Sequence, residues 1–254
     1  MQKAIFAAAL IAANAPAVAG NPYLGIDAGY TRARSNDVDE TITYSVVPPG
    51  ITSGKYDDVF AVRYRNGGDL SASAGYDFGW FRLEGELGAK RVGIKRIAAD
   101  DLADLFVSDV NVALNRTGGP NPQALTLADF QSSGSLKVRS FMANAIFEIS
   151  LLKDLNFYAG AGFGRSSVRG FNDHDTSSAR QRMFGIRYRV SNQVELGLKH
   201  RNFRTGIIKL DHDPIEYLGS LAPGGTRPTA TVIPDIEGEF RTRSLLLTVT
   251  YNVH

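Results

Sequence analysis

The sequence predicts an all-β protein, an eight-stranded antiparallel transmembrane β-barrel with short periplasmic turns and long extracellular loops. Eight stretches alternate between apolar and polar residues with a period of two, which is the pattern of a strand with one apolar face. The connections between them are alternately a few residues and about nine to forty residues long. Each apolar segment is about ten residues long, which suits a tilted strand that crosses a bilayer.

The predicted strands follow from this alternation, taken in chain order. They cover residues 23–32, 69–78, 81–95, 135–150, 155–169, 179–190, 194–207 and 239–254. The last strand is the clearest, because Leu245, Leu247 and Val249 share one parity while Thr248 and Thr250 take the other. We expect it to pair with the first strand and close the barrel, since an open sheet edge is not tolerated in lipid.

Three long connections are predicted to be extracellular loops, over residues 35–66, 96–134 and 208–238. Residues 59–65 are expected to extend a strand beyond the membrane. Residues 102–113 have apolar side chains at helical spacing and predict a short amphipathic helix inside the second connection.

The first nineteen residues have the three parts of a secretory signal peptide. Lys3 supplies a positive charge, residues 4–13 form a short apolar core, and residues 17–19 form an Ala-x-Ala cleavage site. We expect residues 1–19 to be removed on secretion and residues 20–254 to form the barrel domain. A buried alanine-rich helix is the alternative interpretation.

Composition excludes several classes of site. The chain has 0 cysteines, so it has no disulfide framework and no thiolate metal site. A net charge of +2 is too small to indicate a nucleic-acid partner. The sequence also lacks a phosphate-binding loop and a nucleotide fingerprint. We therefore expect no cofactor and no bound metal.

The outward parity carries aromatic residues at two levels, as expected for the two interfaces of a bilayer. Near the long loops these are Tyr30, Phe141, Phe163 and Phe184; near the turns they are Phe78, Phe81, Phe147, Phe157, Tyr188 and Tyr251, with Trp80 in a turn. Beyond the upper level the same parity becomes cationic in seven of the eight strands.

This basic belt consists of Arg32, Arg34, Arg91, Lys137, Arg139, Arg165, Arg169, Arg180, Arg182, Arg204, Arg241 and Arg243. Guanidinium groups pair well with phosphate, and the belt continues the lipid-facing parity. Our hypothesis is that the belt binds the phosphates of lipopolysaccharide in the outer leaflet. The alternative is a solvated basic rim.

The inward parity carries six acids and six bases. They are Asp27, Asp77, Glu84, Glu86, Glu148 and Glu195, and Arg82, Lys90, Arg187, Arg189, Lys199 and Arg201. An eight-stranded barrel is only wide enough for side chains to fill it. Balanced charge in so narrow a lumen favours an ion-pair network that plugs the barrel. A narrow ion path is the alternative.

Three segments resemble the opacity-type, OmpA-like family of eight-stranded outer-membrane proteins: LGIDAGY at 24–30, FRLEGELGAK at 81–90 and FYAGAGFG at 157–164. The resemblance covers nearly all of the mature chain. It implies a place in the bacterial outer membrane, assembly by the barrel-insertion machinery, and exposed loops that bind host or envelope surfaces. Family members usually end in an aromatic residue, whereas this chain ends in Val253 and His254.

Some eight-stranded barrels are lipid A deacylases of the PagL type, which resemble this chain only in part. They use a His and a Ser two residues apart on a strand, and here His200 is followed by Asn202. Without the nucleophilic hydroxyl, His200 is better interpreted as a residue of the aromatic level. His174 and His212, each between two Asp residues, are interpreted as parts of polar loops rather than metal ligands.

The function predicted from these patterns is a non-enzymatic outer-membrane barrel that serves envelope anchoring and surface interaction or adhesion through its loops. A narrow porin for small solutes and a PagL-type lipid A acyl hydrolase remain the alternatives. The expected partners are outer-membrane lipid and lipopolysaccharide, the insertion machinery, and a surface ligand of the loops.

Overall fold

The computed structural model describes residues 20–45, 53–99, 102–116, 123–130, 134–170, 173–211, 215–220 and 227–253. Over these ranges the strands are β1 Asn21–Ala33, β2 Asn36–Tyr44, β3 Gly54–Asp77, β4 Phe81–Ala99, β5 Ser135–Leu152, β6 Leu155–Gly170, β7 Asp173–Arg189, β8 Val194–Asp211, β9 Ile215–Leu218 and β10 Thr229–Asn252. Helix α1 spans Ala103–Ala113, and a 3-10 helix spans Leu127–Phe130. The predicted signal peptide lies outside the described residues, so its removal stays a prediction.

Eight of these strands form a closed antiparallel ring in the order β1, β3, β4, β5, β6, β7, β8, β10. The first and last strands close it, with Tyr23 opposite Asn252 and Ala33 opposite Thr242. The ring therefore has no open edge, as lipid requires. The predicted fold class is confirmed, and so is the closure by the last strand.

Side-chain exposure follows the predicted parity in the membrane-crossing part. Ile26 is 59% exposed and Leu247 is 69% exposed, whereas their inward neighbours Asp27 and Thr248 are each 4% exposed. At the short-turn end the rings of Phe81 and Phe147 are 5.1 Å apart. The outside of this part is thus apolar and the inside polar.

The prediction that residues 35–66 and 208–238 are mostly loop is wrong for much of their length. β2 pairs with both β3 and β10, and β9 pairs with β10. β3 begins at Gly54 and β10 at Thr229, so the barrel wall rises well beyond the membrane. We call this raised part of the wall, together with α1, the extracellular tier. The expected strand extension over residues 59–65 is confirmed.

The sequence did not predict the extracellular tier because the alternation of apolar and polar side chains is inverted in its strands. Outside the membrane the outer face of a strand meets water, so the apolar side chains turn inward. Ile42, Phe60 and Val232 are 2% exposed or less. Their alternation therefore looks like that of a polar loop with scattered apolar residues.

Helix α1 was predicted within residues 102–113, and the structure confirms it. Its buried face includes Phe106, Val107 and Val110. The ring of Phe106 meets the ring of Phe60 edge-to-face, with centroids 5.9 Å apart. Neither helix in the described ranges is long and apolar enough to cross a membrane.

Candidate functional site

The inside of the barrel holds a polar layer at membrane level, and its lower half is organised around Arg82. The Arg82 Nη2 lies 2.8 Å from Asp77 Oδ2 and 3.2 Å from Glu195 Oε2, and its Nε lies 3.0 Å from Glu148 Oε1. Arg187 also pairs with Glu148, and its Nε is 3.5 Å from Glu195 Oε2. Two guanidinium groups are thus held among three carboxylates.

The upper half of the polar layer is organised around Arg201, whose side chain is 0% exposed. Arg201 pairs with Glu86, and its Nη2 lies 3.5 Å from Asp69 Oδ1 and 3.9 Å from Asp27 Oδ2. Lys199 Nζ lies 2.7 Å from Asp27 Oδ2. Every charge in this cluster therefore has an opposite charge beside it, as buried ions require.

Neutral side chains connect the two halves through Glu84. The Tyr23 hydroxyl donates to Glu84 Oε2 at 2.8 Å, and the Asn144 amide donates to Glu84 Oε1 at 2.9 Å. Asn144 also donates to Glu86 at 3.3 Å and accepts a hydrogen bond from Gln181 at 2.9 Å. The link to the lower half is a cation–π contact, because the Arg82 guanidinium carbon lies 5.0 Å from the centroid of the Tyr23 ring.

The structure places all twelve predicted lumen residues on the inner face or at its rim. Arg189 lies at the rim, because its side chain is 48% exposed and its Nε is 4.0 Å from Glu195 Oε1. Sequence reasoning missed Asp69, which accepts hydrogen bonds from Lys90 at 3.2 Å and from Ser244 at 2.6 Å. Asp69 has the same inward parity as Asp77, and this parity could have identified it as a lumen residue from the sequence. With Asp69, the charged residues described here on the inner face and at its rim in the membrane-crossing part are seven acids and six bases.

Above the polar layer an apolar layer fills the extracellular tier. It joins inward side chains of the strands, such as Leu210 and Phe240, to the buried face of α1. The two layers meet where Lys90 Nζ lies 4.5 Å above the ring of Phe203. The barrel is therefore closed by ion pairs below this level and by hydrophobic packing above it.

All twelve predicted belt residues lie on the outer face. Ten are exposed and two, Arg204 and Arg241, are half-buried. The belt includes rows of like charge on neighbouring strands: Arg91 is opposite Lys137, which is opposite Arg169. A second row joins Arg180, Arg204 and Arg241 on β7, β8 and β10.

The second row contains an acid that sequence reasoning missed, Glu239. Its carboxylate pairs with Arg204, lies 3.0 Å from Arg241 Nε, and lies 3.7 Å from Arg180 Nη2. Phe240 lies between Glu239 and Arg241 and points into the apolar layer. Opposite it β8 carries a bulge, because Thr205 and Gly206 both face this one residue. The Phe240 N–H donates to Thr205 Oγ1 at 2.9 Å, which satisfies the backbone at the bulge.

Glu239 predicts a pH dependence of stability. Desolvation acts to raise its pKa, but hydrogen bonds from Arg241 and Arg204 outweigh it and hold the pKa below the usual value. A carboxylate with a lowered pKa stabilises the fold above its unfolded pKa, about 4.3, and this stabilisation is lost as the pH falls through the lower folded value. We expect Glu239→Gln to lower the melting temperature by no more than about 2–4 °C at pH 7. Melting curves of both proteins should converge in acid; a constant difference would contradict the assignment.

The candidate catalytic and metal residues are not brought into a reactive arrangement. His200 stacks on Phe184, with ring centroids 4.8 Å apart, and its Nδ1 lies 3.5 Å from the amide nitrogen of Asn202. On β7 His174 is exposed, while the flanking Asp173 and Asp175 take the opposite parity. His212 lies outside the described residues. Within the described ranges no group of three or more His, Asp or Glu side chains has the geometry of a metal site.

The family model of the outer membrane protein β-barrel domain matches residues 4–252. The chain belongs to this family. This outer-membrane β-barrel therefore resides in the bacterial outer membrane. No curated protein matches its sequence.

Several solved structures are similar to this outer-membrane β-barrel. Neisserial surface protein A is 16% identical with a TM-score of 0.43, over 91% of this chain and 97% of that one. OprG from Pseudomonas aeruginosa is 11% identical with a TM-score of 0.46, over 92% and 97%. The Yersinia pestis attachment invasion locus protein Ail, in complex with the heparin analogue sucrose octasulfate, is 11% identical with a TM-score of 0.32, over 92% and 99%.

Proposed function

We propose that this outer-membrane β-barrel is a closed, non-enzymatic anchor that presents its extracellular tier for interaction with surfaces outside the cell. The proposal rests on one observation, that the polar layer and the apolar layer together fill the inside of the barrel. Arg201 and Phe106, at the centres of the two layers, are both 0% exposed. A barrel of eight strands leaves no further width for a water-filled path around such side chains.

The extracellular tier supplies the surface for interaction because its parts are tied together by hydrogen bonds. The Arg116 Nε after α1 donates to the Leu218 carbonyl of β9 at 2.9 Å. The Ser220 N–H donates to the Leu114 carbonyl at 2.9 Å. A surface held in one conformation loses little entropy on binding, which favours recognition of a partner. The partner we propose is a host or envelope surface.

Single-channel recording tests the closed state. In a planar bilayer the purified barrel is expected to show no sustained conductance, because both layers block the lumen. A known porin, purified in the same detergent and inserted in the same way, serves as the positive control. Sustained large openings of the barrel would overturn the proposal and favour a narrow porin instead.

Surface interaction is tested separately with vesicles that carry the barrel. Binding to candidate host and envelope surfaces should exceed that of empty vesicles, and it should fall when the extracellular tier is trimmed. Release of acyl chains from lipopolysaccharide by the purified barrel would instead favour a PagL-type hydrolase. We expect no release, since His200 is stacked on Phe184 and is followed at two residues by Asn202.

The basic belt supports a second part of the proposal, contact with phosphates of lipopolysaccharide. Its cations lie on the lipid-facing parity directly beyond the apolar band, where anionic headgroups attract them. We further propose that the chain reaches this position after signal-peptide removal and through the barrel-insertion machinery. Lipopolysaccharide is expected to raise the melting temperature, and neutralising belt residues is expected to reduce that rise.

A further inference from the structure

One row of the belt places three cations directly side by side, and no carboxylate of the described residues neutralises them. Arg91, Lys137 and Arg169 occupy opposing positions on β4, β5 and β6, where neighbouring strands are about 4.8 Å apart. Like charges directly opposite each other destabilise a sheet. Within the described part of the chain, none of the three has a carboxylate within ion-pair distance. The row therefore lacks an anion.

In the second row of the belt, a residue of the chain itself offsets the repulsion between neighbouring cations. Arg180, Arg204 and Arg241 also occupy opposing positions, and Glu239 lies among all three. One carboxylate thus offsets the repulsion of that row. Two rows of the same geometry differ in whether their anion is part of the chain. The comparison indicates that the anion of the Arg91 row comes from outside.

An outer groove lies beside the row that lacks an anion. Its volume is about 470 Å³, and its lining includes Arg91, Lys137 and Arg139. Its outward apolar lining consists of Ala28, Gly68, Leu70 and Ala89. The small side chains among these leave a depression in the lipid-facing wall. A Cβ added at Gly68 would meet no atom within 4 Å, so the space there is open.

We propose that this groove is a binding site for one phosphorylated glycolipid of the outer leaflet. An acyl chain lies along Gly68 and Ala89, and a sugar phosphate lies among Arg91, Lys137 and Arg139. Apolar small residues complement a hydrocarbon chain, and the guanidinium and ammonium groups complement the phosphate. The inference rests on the proposed contact between the belt and lipid phosphates, and it names the place where that contact is specific.

Charge removal at matched positions tests the phosphate part of the site. Purified R91Q/K137Q/R139Q and R32Q/R34Q/R243Q barrels lose the same number of belt charges from different places. Bound lipid A, the bisphosphorylated glycolipid, is counted by native mass spectrometry over a lipid titration. The first variant is expected to lose about 100-fold in affinity, from roughly fivefold per cation, and the second much less. Equal losses would overturn the site while leaving the general belt contact intact. No loss in either variant would overturn both.

Groove filling tests the acyl part without altering charge. Gly68→Leu places an apolar side chain in the groove, and Gly85→Leu places the same side chain on the lipid-facing wall of β4 outside it. A Cβ at either position meets no atom within 4 Å, so both variants should fold. We expect Gly68→Leu to weaken lipid A binding about tenfold, the equivalent of one or two buried methylenes. Gly85→Leu should leave it unchanged, and equal effects would overturn the groove.

The source of the phosphate is distinguished with two ligands. Lipid A from which the phosphates have been removed is expected to bind no more tightly to the unaltered barrel than to R91Q/K137Q/R139Q. Inorganic phosphate alone should show no saturable binding at the concentrations that saturate lipid A. Saturable binding of inorganic phosphate in that range would show that the row recognises a free anion, and the glycolipid site would be wrong.

Discussion

Arg201→Met is expected to lower the free energy of unfolding by about 3–5 kcal/mol, the usual cost of removing one partner from a buried ion pair. Arg201 is 0% exposed and lies among Glu86, Asp69 and Asp27. Without its guanidinium these carboxylates repel one another in a medium where water cannot screen them. The membrane-crossing part of the folded variant then contains an excess of buried negative charge.

Equilibrium unfolding in urea, with the barrel in lipid vesicles, measures this loss. The matched control is Arg189→Met, since Arg189 is half exposed at the lumen rim and its Nε is 4.0 Å from Glu195 Oε1. That change should cost no more than about 1 kcal/mol. A similar, small cost for both variants would contradict the view that the polar layer stabilises the barrel.

Phe106→Ala is expected to destabilise the extracellular tier locally by about 3–5 kcal/mol. The Phe106 ring is fully buried and packs edge-to-face against Phe60, so its loss leaves a cavity beneath α1. The membrane-crossing part has its own polar layer and should keep its stability. The effect is therefore expected in α1 and its contacts rather than in global unfolding.

Hydrogen exchange of the α1 amides measures this local opening, because exchange reports the free energy of each opening unit separately. Leu105→Ala is the control on the same helix, as Leu105 is 54% exposed. Its effect should stay within about 0.5 kcal/mol. Faster exchange in both variants alike would contradict the view that burial of Phe106 in the apolar layer holds α1 in place.

The membrane-crossing strands could be predicted from the sequence because lipid leaves the chain little choice. Outward residues there meet lipid and are mostly apolar, as Leu247 is. Inward charged residues are paired, as Arg82 is, and a few inward apolar residues such as Ile146 pack together. The alternation is therefore strong enough to place the periplasmic end of each strand within a few residues of its observed position, whereas the starts of β3 and β10 lie well before the predicted ones. Its inward parity also pointed to most members of the polar layer.

The extracellular tier and the details of charge pairing could not be predicted in this way. In β2 the inward Ile42 is flanked by Thr41 and Thr43, so its pattern is that of many exposed segments. Glu239 is the first residue of the last predicted strand, and only the register of β10 against β8 brings it beside Arg204 and Arg180. Which charges meet depends on strand register, and register is set by the whole ring.

Apolar side chains lie on the outer face of the strands in the membrane and on the inner face in the extracellular tier. This inversion affects how the barrel inserts into the membrane. On β4 the inward residue changes from Lys90 to Val92 where the outward residue changes from Ala89 to Arg91. The apolar layer therefore cannot assemble until its strands have emerged into water on the far side. Once the apolar layer has assembled, moving its strands back would carry their charged outer faces through hydrocarbon and disrupt the packing of this layer. We therefore expect this chain to insert into the membrane in one direction. Assembly of the apolar layer is expected to be the step that prevents the strands from moving back.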